Sequence, residues 1–137
     1  MTPKPASGYV LVIVPEVREW LHDLRKADKE TSKRVASAIA ALLEVGPGLG
    51  RPLADTLSRD KRRKRARSRY SNMKELRPTS GAQSAVRILF IFDPSSRAVL
   101  LVAGDKAGNW EDWYEGAIPL ADARYEAHLK AMEGDSS

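Results

Sequence analysis

Cysteine is absent from this 137-residue chain, and histidine occurs only twice. Without thiols there is no disulfide framework and no cysteine nucleophile. A zinc site would need both histidines together with carboxylates, a poor match to the cysteine- and histidine-rich sets that zinc prefers. We therefore expect neither a metal nor a cofactor, and any chemistry must come from other side chains.

Long apolar runs are also missing. Nothing in the sequence approaches the roughly 20 apolar residues that cross a bilayer. The hydrophobic stretch Tyr9–Val14 is too short for the core of a signal peptide, and Pro15 and Glu16 follow it where small residues would be needed. We expect a cytoplasmic protein with no membrane partner.

Positive charge is present but unevenly distributed. The net charge is +5, yet Arg59–Arg69 (RDKRRKRARSR) alone carries +7, which leaves −2 on the rest of the chain. This basic segment is suited to a polyanion, because each phosphate that it contacts releases counterions, or to an acidic protein. The alternative is a solvated, self-repelling loop. The candidates for RNA contacts within it are Lys61, Arg62, Arg63, Lys64, Arg65, Arg67 and Arg69.

The first half of the chain predicts a strand followed by two helices. Tyr9–Val14 is rich in β-branched residues, and Pro15 suits the first turn of a helix whose apolar face starts at Val17. A second helix is predicted over Lys29–Val45, and the glycines and proline of residues 46–48 end it. We expect a helical hairpin that covers a sheet.

The second half predicts three strands and a helix. The strands are Tyr70–Leu76, Ala85–Phe92 and Ala98–Ala103, with an Asp-Pro-Ser-Ser turn joining the last two into an antiparallel hairpin. The helix is predicted over Pro119–Glu133. The order β-α-α-β-β-β-α indicates an α+β domain, a small sheet with helices packed on it, over residues 9–133, with tails at 1–8 and 134–137.

Arg87 is the most informative residue, because it interrupts an apolar strand, AVRILFIF. Alternation places Arg87, Leu89 and Ile91 on one face of that strand. A guanidinium cannot lose its charge, so burial without an anion would be costly. Either a carboxylate such as Glu75 pairs with it, or it points into a cleft that holds an anion.

Other lone cations are expected near Arg87. Lys74 and Arg77 lie in NMKELRP, and Lys106 lies in GDKAGN, where glycines would allow close approach of a ligand. If the three strands are neighbours, Lys74, Arg87 and Lys106 would share one face of the sheet. The alternative is that both lysines are ordinary surface residues.

Histidines and aromatic residues give weaker signals. His22 lies off the apolar stripe of the first helix, and nothing in the spacing requires it to meet His128 as a paired-histidine ribonuclease would. Trp110, Trp113 and Tyr114 could stack on bases, although such residues are more often core or interface anchors.

The blocks NMKELRP, AVRILFIFDPSSRAVLLVAGDKAGN and WYEGAIPLADARYEAHL closely resemble the RelE/HigB-like toxins of bacterial type II toxin–antitoxin systems, in their phage-derived branch. PEVREWL and the preceding strand are similar as well, so the resemblance covers Val10–Lys130. It implies a RelE-like fold and an mRNA interferase that cuts mRNA in the ribosomal A site. It also implies a cognate antitoxin, usually with a helix-turn-helix DNA-binding part.

The resemblance assigns catalytic roles to four residues. Arg87 matches the strand arginine that holds the scissile phosphate, and Lys74 matches the basic residue on the preceding strand. Lys106 stands near a basic position where arginine is commoner. Tyr125 matches the tyrosine near the C-terminus, with Tyr114 as its rival. The basic segment departs from the family pattern, so no role follows for it.

A metal-independent endoribonuclease could work with these groups. Lys74, with its pKa lowered by Arg77 or Arg87, would accept the 2′-OH proton, while Arg87 and Lys106 would stabilise charge on the phosphate. Two alternatives remain. One is a ParE-type toxin that holds DNA gyrase without catalysis, and the other is an RNA-binding module that does not cleave.

Overall fold

A mixed sheet lies between an N-terminal helical hairpin and a long C-terminal helix. The computed structural model describes residues 8–57, 67–78, 85–105 and 110–135. In chain order its elements are β1 (Leu11–Ile13), α1 (Pro15–Ala27), α2 (Lys29–Val45), a 3-10 turn (Gly46–Gly48), β2 (Ala54–Thr56), β3 (Lys74–Leu76), β4 (Val86–Phe92), β5 (Ala98–Asp105) and α3 (Trp110–Asp135).

The five strands of the described sheet are ordered β1-β5-β4-β3-β2. β1 pairs with β5 in parallel, and the other neighbours are antiparallel. The β4–β5 hairpin was predicted, and its turn is confirmed because the Ser96 amide donates to the Asp93 carbonyl at 2.8 Å. A one-residue irregularity in this ladder lies between Leu89 and Phe90.

Each face of the sheet has its own apolar core. The helical hairpin packs on one face, where Val17, Val35 and Leu42 meet Ile88 and Phe90 of β4. On the other face α3 packs over the other side of β4 and β5, and the core residues there include Leu89, Ile91, Leu101, Ile118 and Ala121. Strand β4 is therefore buried on both sides, as its nearly continuous apolar sequence indicates.

The predicted helical hairpin is confirmed. Asp28 ends α1 and caps α2, since its carboxylate accepts the Thr31 amide at 3.1 Å. Gly46 ends α2 with φ of 79°, and a Cβ there would collide with the ring of Tyr9. Glycine is required at this stop for both reasons.

The α+β class is confirmed, but the predicted element order is wrong in one respect. Strand β2, between Pro52 and the basic segment, was not predicted, so the order is β-α-α-β-β-β-β-α. The C-terminal helix begins at Trp110 rather than Pro119, and Pro119 lies inside it. None of the helices in the described part of the chain has the length and apolar character needed to cross a membrane.

Candidate anion-binding site

Arg87 lies on the α3 face of β4, opposite Gly104 of β5, with 6% of its surface exposed. Its Nη1 donates a hydrogen bond to the Val86 carbonyl at 2.8 Å. Its buried Nε has no hydrogen-bond acceptor within the described part of the chain. A buried guanidinium N–H without an acceptor is unfavourable, so this group indicates a place for an anion.

Glu75 faces Arg87 from the neighbouring strand. It pairs with Leu89 in the β3–β4 register and is 7% exposed. Its Oε1 lies 3.9 Å from Nε of Arg87 and 3.8 Å from Nε of Arg77. Both distances are longer than a hydrogen bond, and Nε of Arg77 also lacks an acceptor among the described residues. One carboxylate oxygen is thus shared by two guanidiniums and fully satisfies neither.

Helix α3 closes this group on the inner side. The Tyr114 hydroxyl donates a short hydrogen bond to Oε2 of Glu75. The indole of the adjacent Trp113 packs directly on Gly104, the β5 partner of Arg87. A Cβ at position 104 would collide with this indole. We call Glu75, Arg77, Arg87 and Tyr114 the arginine cluster.

The arginine cluster is electropositive, and among its members Arg77 has the most exposed side chain. Two guanidiniums and one carboxylate give it a net charge of +1. Arg87 and Glu75 are nearly inaccessible, whereas 28% of the Arg77 side chain is exposed. Arg77 is therefore the side from which an anion can approach, and both unsatisfied Nε groups lie 3.8 and 3.9 Å from the same Glu75 oxygen.

Both interpretations of Arg87, pairing with a carboxylate and binding of an anion, agree in part with the structure. The pairing with Glu75 that the sequence suggested is present, but at ion-pair distance and without a hydrogen bond. Arg77, a candidate for RNA contacts and for lowering the pKa of Lys74, is brought to the same carboxylate because it directly follows β3. Chemically, the cluster can bind a phosphate and stabilise negative charge on it.

The expectation that Lys74 and Arg87 share one face of the sheet is wrong. Lys74 pairs with Phe90, whose ring lies in the core on the hairpin side. Directly paired residues in antiparallel strands project to the same face, so Lys74 is on the face opposite Arg87. Its Nζ donates to the Pro47 carbonyl at 2.6 Å, in the turn that follows α2.

Tyr125 also lies away from the arginine cluster. It is 5% exposed and packs edge-to-face on Tyr70, with 4.7 Å between ring centroids. At 1.5 Å per residue, it stands roughly 16 Å beyond Tyr114 along α3. Burial raises the pKa of its hydroxyl, and the charge of Asp93 adds to this shift. The tyrosine that the fold brings to Arg87 is the rival, Tyr114.

Several candidate residues lie outside the described residues. They are Lys106, which follows β5, and Lys61, Arg62, Arg63, Lys64 and Arg65 of the basic segment. Arg67 and Arg69 are described, and here the segment is attached to α3. The buried carboxylate of Asp122 accepts the Ser68 hydroxyl at 2.6 Å and the Arg69 amide at 2.8 Å. The Arg69 guanidinium pairs with Glu126.

Sequence reasoning missed the contact of His128. Its Nε2 lies 2.8 Å from Oδ2 of Asp93, a carboxylate with no exposed side-chain surface. Neither histidine joins the arginine cluster. Among the described residues, no group of three or more histidine, aspartate and glutamate side chains is placed to hold a metal ion.

A known protein family matches most of the length of this chain. A family model for phage derived proteins, Gp49-like, matches residues 22–126, and the chain is a member of that family. Two relatives from Mycobacterium tuberculosis are similar to it. The chain is 46% identical to "Putative toxin HigB2" over 120 residues, which cover 88% of this chain and 54% of that protein.

It is 41% identical to "Putative toxin HigB3" over 124 residues, which cover 90% of this chain and 96% of that protein. The chain therefore spans about half the length of the first relative and nearly all of the second. No solved structure matches the chain significantly, so the RelE-like fold that the resemblance implies stays a prediction.

Proposed function

We propose that this protein is the toxin of a type II toxin–antitoxin pair, and that it cleaves mRNA on the ribosome at a phosphate held by Arg87 and Arg77. The names of its relatives support the first part. The second part depends on one observation, the two buried Nε groups of Arg77 and Arg87 that face one carboxylate and lack an acceptor within the described chain.

A phosphodiester would supply the missing acceptors. Its non-bridging oxygens can accept from both guanidiniums, which present N–H groups in a rigid planar fork. When the ribose 2′-OH attacks, negative charge grows on those oxygens, and donors already in place stabilise it without reorganisation. Tyr114 would hold Glu75 and so keep the two arginines oriented.

The remaining candidates have different parts in this proposal. Lys106 lies outside the described residues and follows Gly104, the partner of Arg87, by two positions in the sequence. It stays a candidate for stabilising the phosphate. Lys74 is on the other face, so we propose that it contacts RNA outside the reacting phosphate rather than accepting the 2′-OH proton.

The test is mapping of mRNA 5′ ends on purified ribosomes. Wild-type protein should create new ends, and Arg77→Ala should reduce their rate of formation by about 100-fold, the usual cost of one charge-stabilising donor. Arg97→Ala is the matched control, because Arg97 is exposed to a similar degree (33% against 28%) and also faces a buried carboxylate. It should cleave nearly as fast as wild type.

Three outcomes would contradict the proposal. Absence of new ends with wild-type protein would favour a non-cleaving RNA-binding module, and DNA damage without mRNA cleavage would favour the gyrase-directed alternative. Equal cleavage by the wild type, Arg77→Ala and Arg87→Lys would remove the arginine cluster from the reaction.

The same assay decides between the tyrosines. We expect Tyr114→Phe to slow cleavage more than Tyr125→Phe, because only Tyr114 contacts the arginine cluster. Lys74→Ala should raise KM rather than lower kcat if its contact is remote from the phosphate. A cognate antitoxin, whose helix-turn-helix part the resemblance implies, should suppress the cleavage by wild-type protein.

A further inference from the structure

Glu75 is the member of the arginine cluster that phosphate binding alone does not explain. A site that only had to attract anions would be stronger without a buried carboxylate, because Glu75 cancels one of the two guanidinium charges. Burying a carboxylate is also unfavourable unless it is well paired. Yet Glu75 is 7% exposed and is held in place from α3 by Tyr114.

The geometry keeps this negative charge next to any bound anion. Tyr114 occupies Oε2, which leaves Oε1 facing the two arginines at 3.8 and 3.9 Å. An anion that accepts from these Nε groups at about 2.9 Å therefore lies within about 7 Å of Oε1. In this poorly solvated place Glu75 repels each unit of negative charge on the ligand and so cancels part of the attraction of the two guanidiniums, and this loss is larger for a dianion than for a monoanion.

We propose that Glu75 makes the site selective for the singly charged phosphodiester within an RNA strand, against the doubly charged phosphate at a strand end or on a mononucleotide. The inference rests on the proposed phosphate-binding role of Arg77 and Arg87. The net charge of +1 on the arginine cluster itself balances a phosphodiester, whereas a terminal phosphate carries between about −1.5 and −2 at neutral pH.

The same charge suits both substrate and first product. In the proposed cleavage the 2′ oxygen forms a bond to phosphorus, the bond to the 5′ oxygen breaks, and the 2′-OH proton ends on that leaving oxygen. The product is a 2′,3′-cyclic phosphodiester, which is again a monoanion. A selective site would thus act inside strands and have little affinity for the phosphorylated ends that are abundant in a cell.

The experiment compares dimethyl phosphate, a monoanion, with methyl phosphate, a dianion at pH 8. Binding of each is measured by NMR from the Nε–Hε signals of Arg77 and Arg87, assigned with the corresponding lysine variants. In the wild type both probes should shift these signals, and methyl phosphate should bind no more tightly than dimethyl phosphate. In Glu75→Gln the affinity ratio should move toward methyl phosphate by about tenfold or more.

Glu126→Gln is the matched control. It removes one carboxylate charge by the same substitution but outside the arginine cluster, where Glu126 pairs with Arg69, so it should retain the wild-type preference. A ratio that is unchanged in Glu75→Gln, while both probes still bind, overturns the selectivity and leaves the proposed function intact. If Glu75→Gln does not fold, the wild type alone decides, because tighter binding of methyl phosphate by tenfold would overturn the proposal.

A different result would also contradict the role of the arginine cluster in the proposed function. If neither probe shifts the Nε–Hε signals in the wild type, the arginine cluster is not an anion site, and its role in the proposed function fails together with the selectivity. Cleavage assays on unmodified mRNA then decide separately whether the protein is a ribonuclease that acts through other residues.

Discussion

At the residue scale, Asp93 shows how much one buried carboxylate can organise. Its Oδ1 accepts the amides of Ser95 and Arg97, both at 2.9 Å, which fixes the turn between β4 and β5. Its Oδ2 accepts Nε of Arg97 at 2.9 Å and contacts His128 of α3. The sequence predicted the turn from Asp and Pro, but it contained no signal that the same carboxylate would attach α3 to the turn.

Asp93 should make stability depend on pH. Burial alone would raise its pKa, but the hydrogen bonds from His128 and Arg97 outweigh burial and hold the pKa below the usual 3.8. A carboxyl whose pKa is lower in the folded state stabilises the fold above the unfolded-state pKa and loses that contribution as the pH falls through the folded-state pKa. We therefore expect the free energy of unfolding to fall progressively below about pH 4.

Asp93→Asn tests this contribution. The amide would present donors to Arg97 and His128, so the variant should lose about 2–3 kcal/mol of stability at pH 7. The difference from wild type, measured by urea denaturation, should shrink between pH 5 and pH 2.5. A difference that stays constant over this range would mean that the charge of Asp93 is not the cause.

At the scale of elements, the sequence predicted best those helices and strands whose apolar pattern extends over many residues. The predicted bounds of α2, Lys29–Val45, agree with the structure, and β4 differs from its prediction by one residue. Strand β2 was missed because three residues show no period. The predicted start of α3 was wrong because proline favours the first turn of a helix. In the structure Pro119 lies inside α3, and the buried Tyr114 already belongs to this helix.

Register is what the sequence could not supply for the candidate site. Glu75 and Lys74 are adjacent, so one of them must face α3 and the other the hairpin, but nothing in NMKELRP says which. A shift of one residue exchanges the two faces. The observed register places the carboxylate beside Arg87 and the lysine away from it. The sequence therefore offered Glu75 as one possible partner of Arg87, but the exclusion of Lys74 depends on the register.

The contact between α3 and β5 at Gly104 gives a prediction about packing. Gly104→Ala would place a methyl group against the indole of Trp113, and such overpacking costs about 1–3 kcal/mol. Trp113→Phe alone should also destabilise the protein. Because the smaller ring leaves room for the methyl group, the double variant should lose less stability than the sum of the two single losses.

Thermal unfolding of the four proteins in this cycle measures that coupling. Gly116→Ala is the control, since a Cβ at Gly116 meets no atom within 4 Å. Alanine there lies within α3 and should be neutral or stabilising. Additive losses for Gly104→Ala and Trp113→Phe would show that the two residues do not meet in solution.

At the scale of the whole molecule, the proposed site and the basic segment are separate sources of positive charge along α3. The arginine cluster meets the helix at Tyr114, and Asp122 receives the end of the basic segment about 12 Å further along. Asp122 binds a hydroxyl and a backbone amide there, whereas the guanidinium of Arg69 pairs with Glu126, one turn further along α3. An RNA strand held at Arg77 could continue along α3 towards this end of the basic segment.

The salt dependence of RNA binding tests whether the basic segment contacts RNA directly or acts only through the net charge of the protein. Each phosphate contact with single-stranded RNA contributes about 0.7 to the negative slope of log K against log salt. Replacing the five cations from Lys61 to Arg65 by serine should therefore reduce the slope by up to about 3.5. Cleavage positions should not change, because the arginine cluster is intact.

The matched control removes the same charge from the helical hairpin, which packs on the face of the sheet opposite α3. Five exposed cations of the helical hairpin, Arg18, Arg25, Lys26, Lys33 and Arg34, are replaced by serine, so that both variants have a net charge of 0 instead of +5. If the basic segment contacts RNA directly, the hairpin variant should keep a slope near that of wild type. Equal reductions in the two variants would mean that RNA responds to overall charge, and the basic segment would then have no specific role in binding.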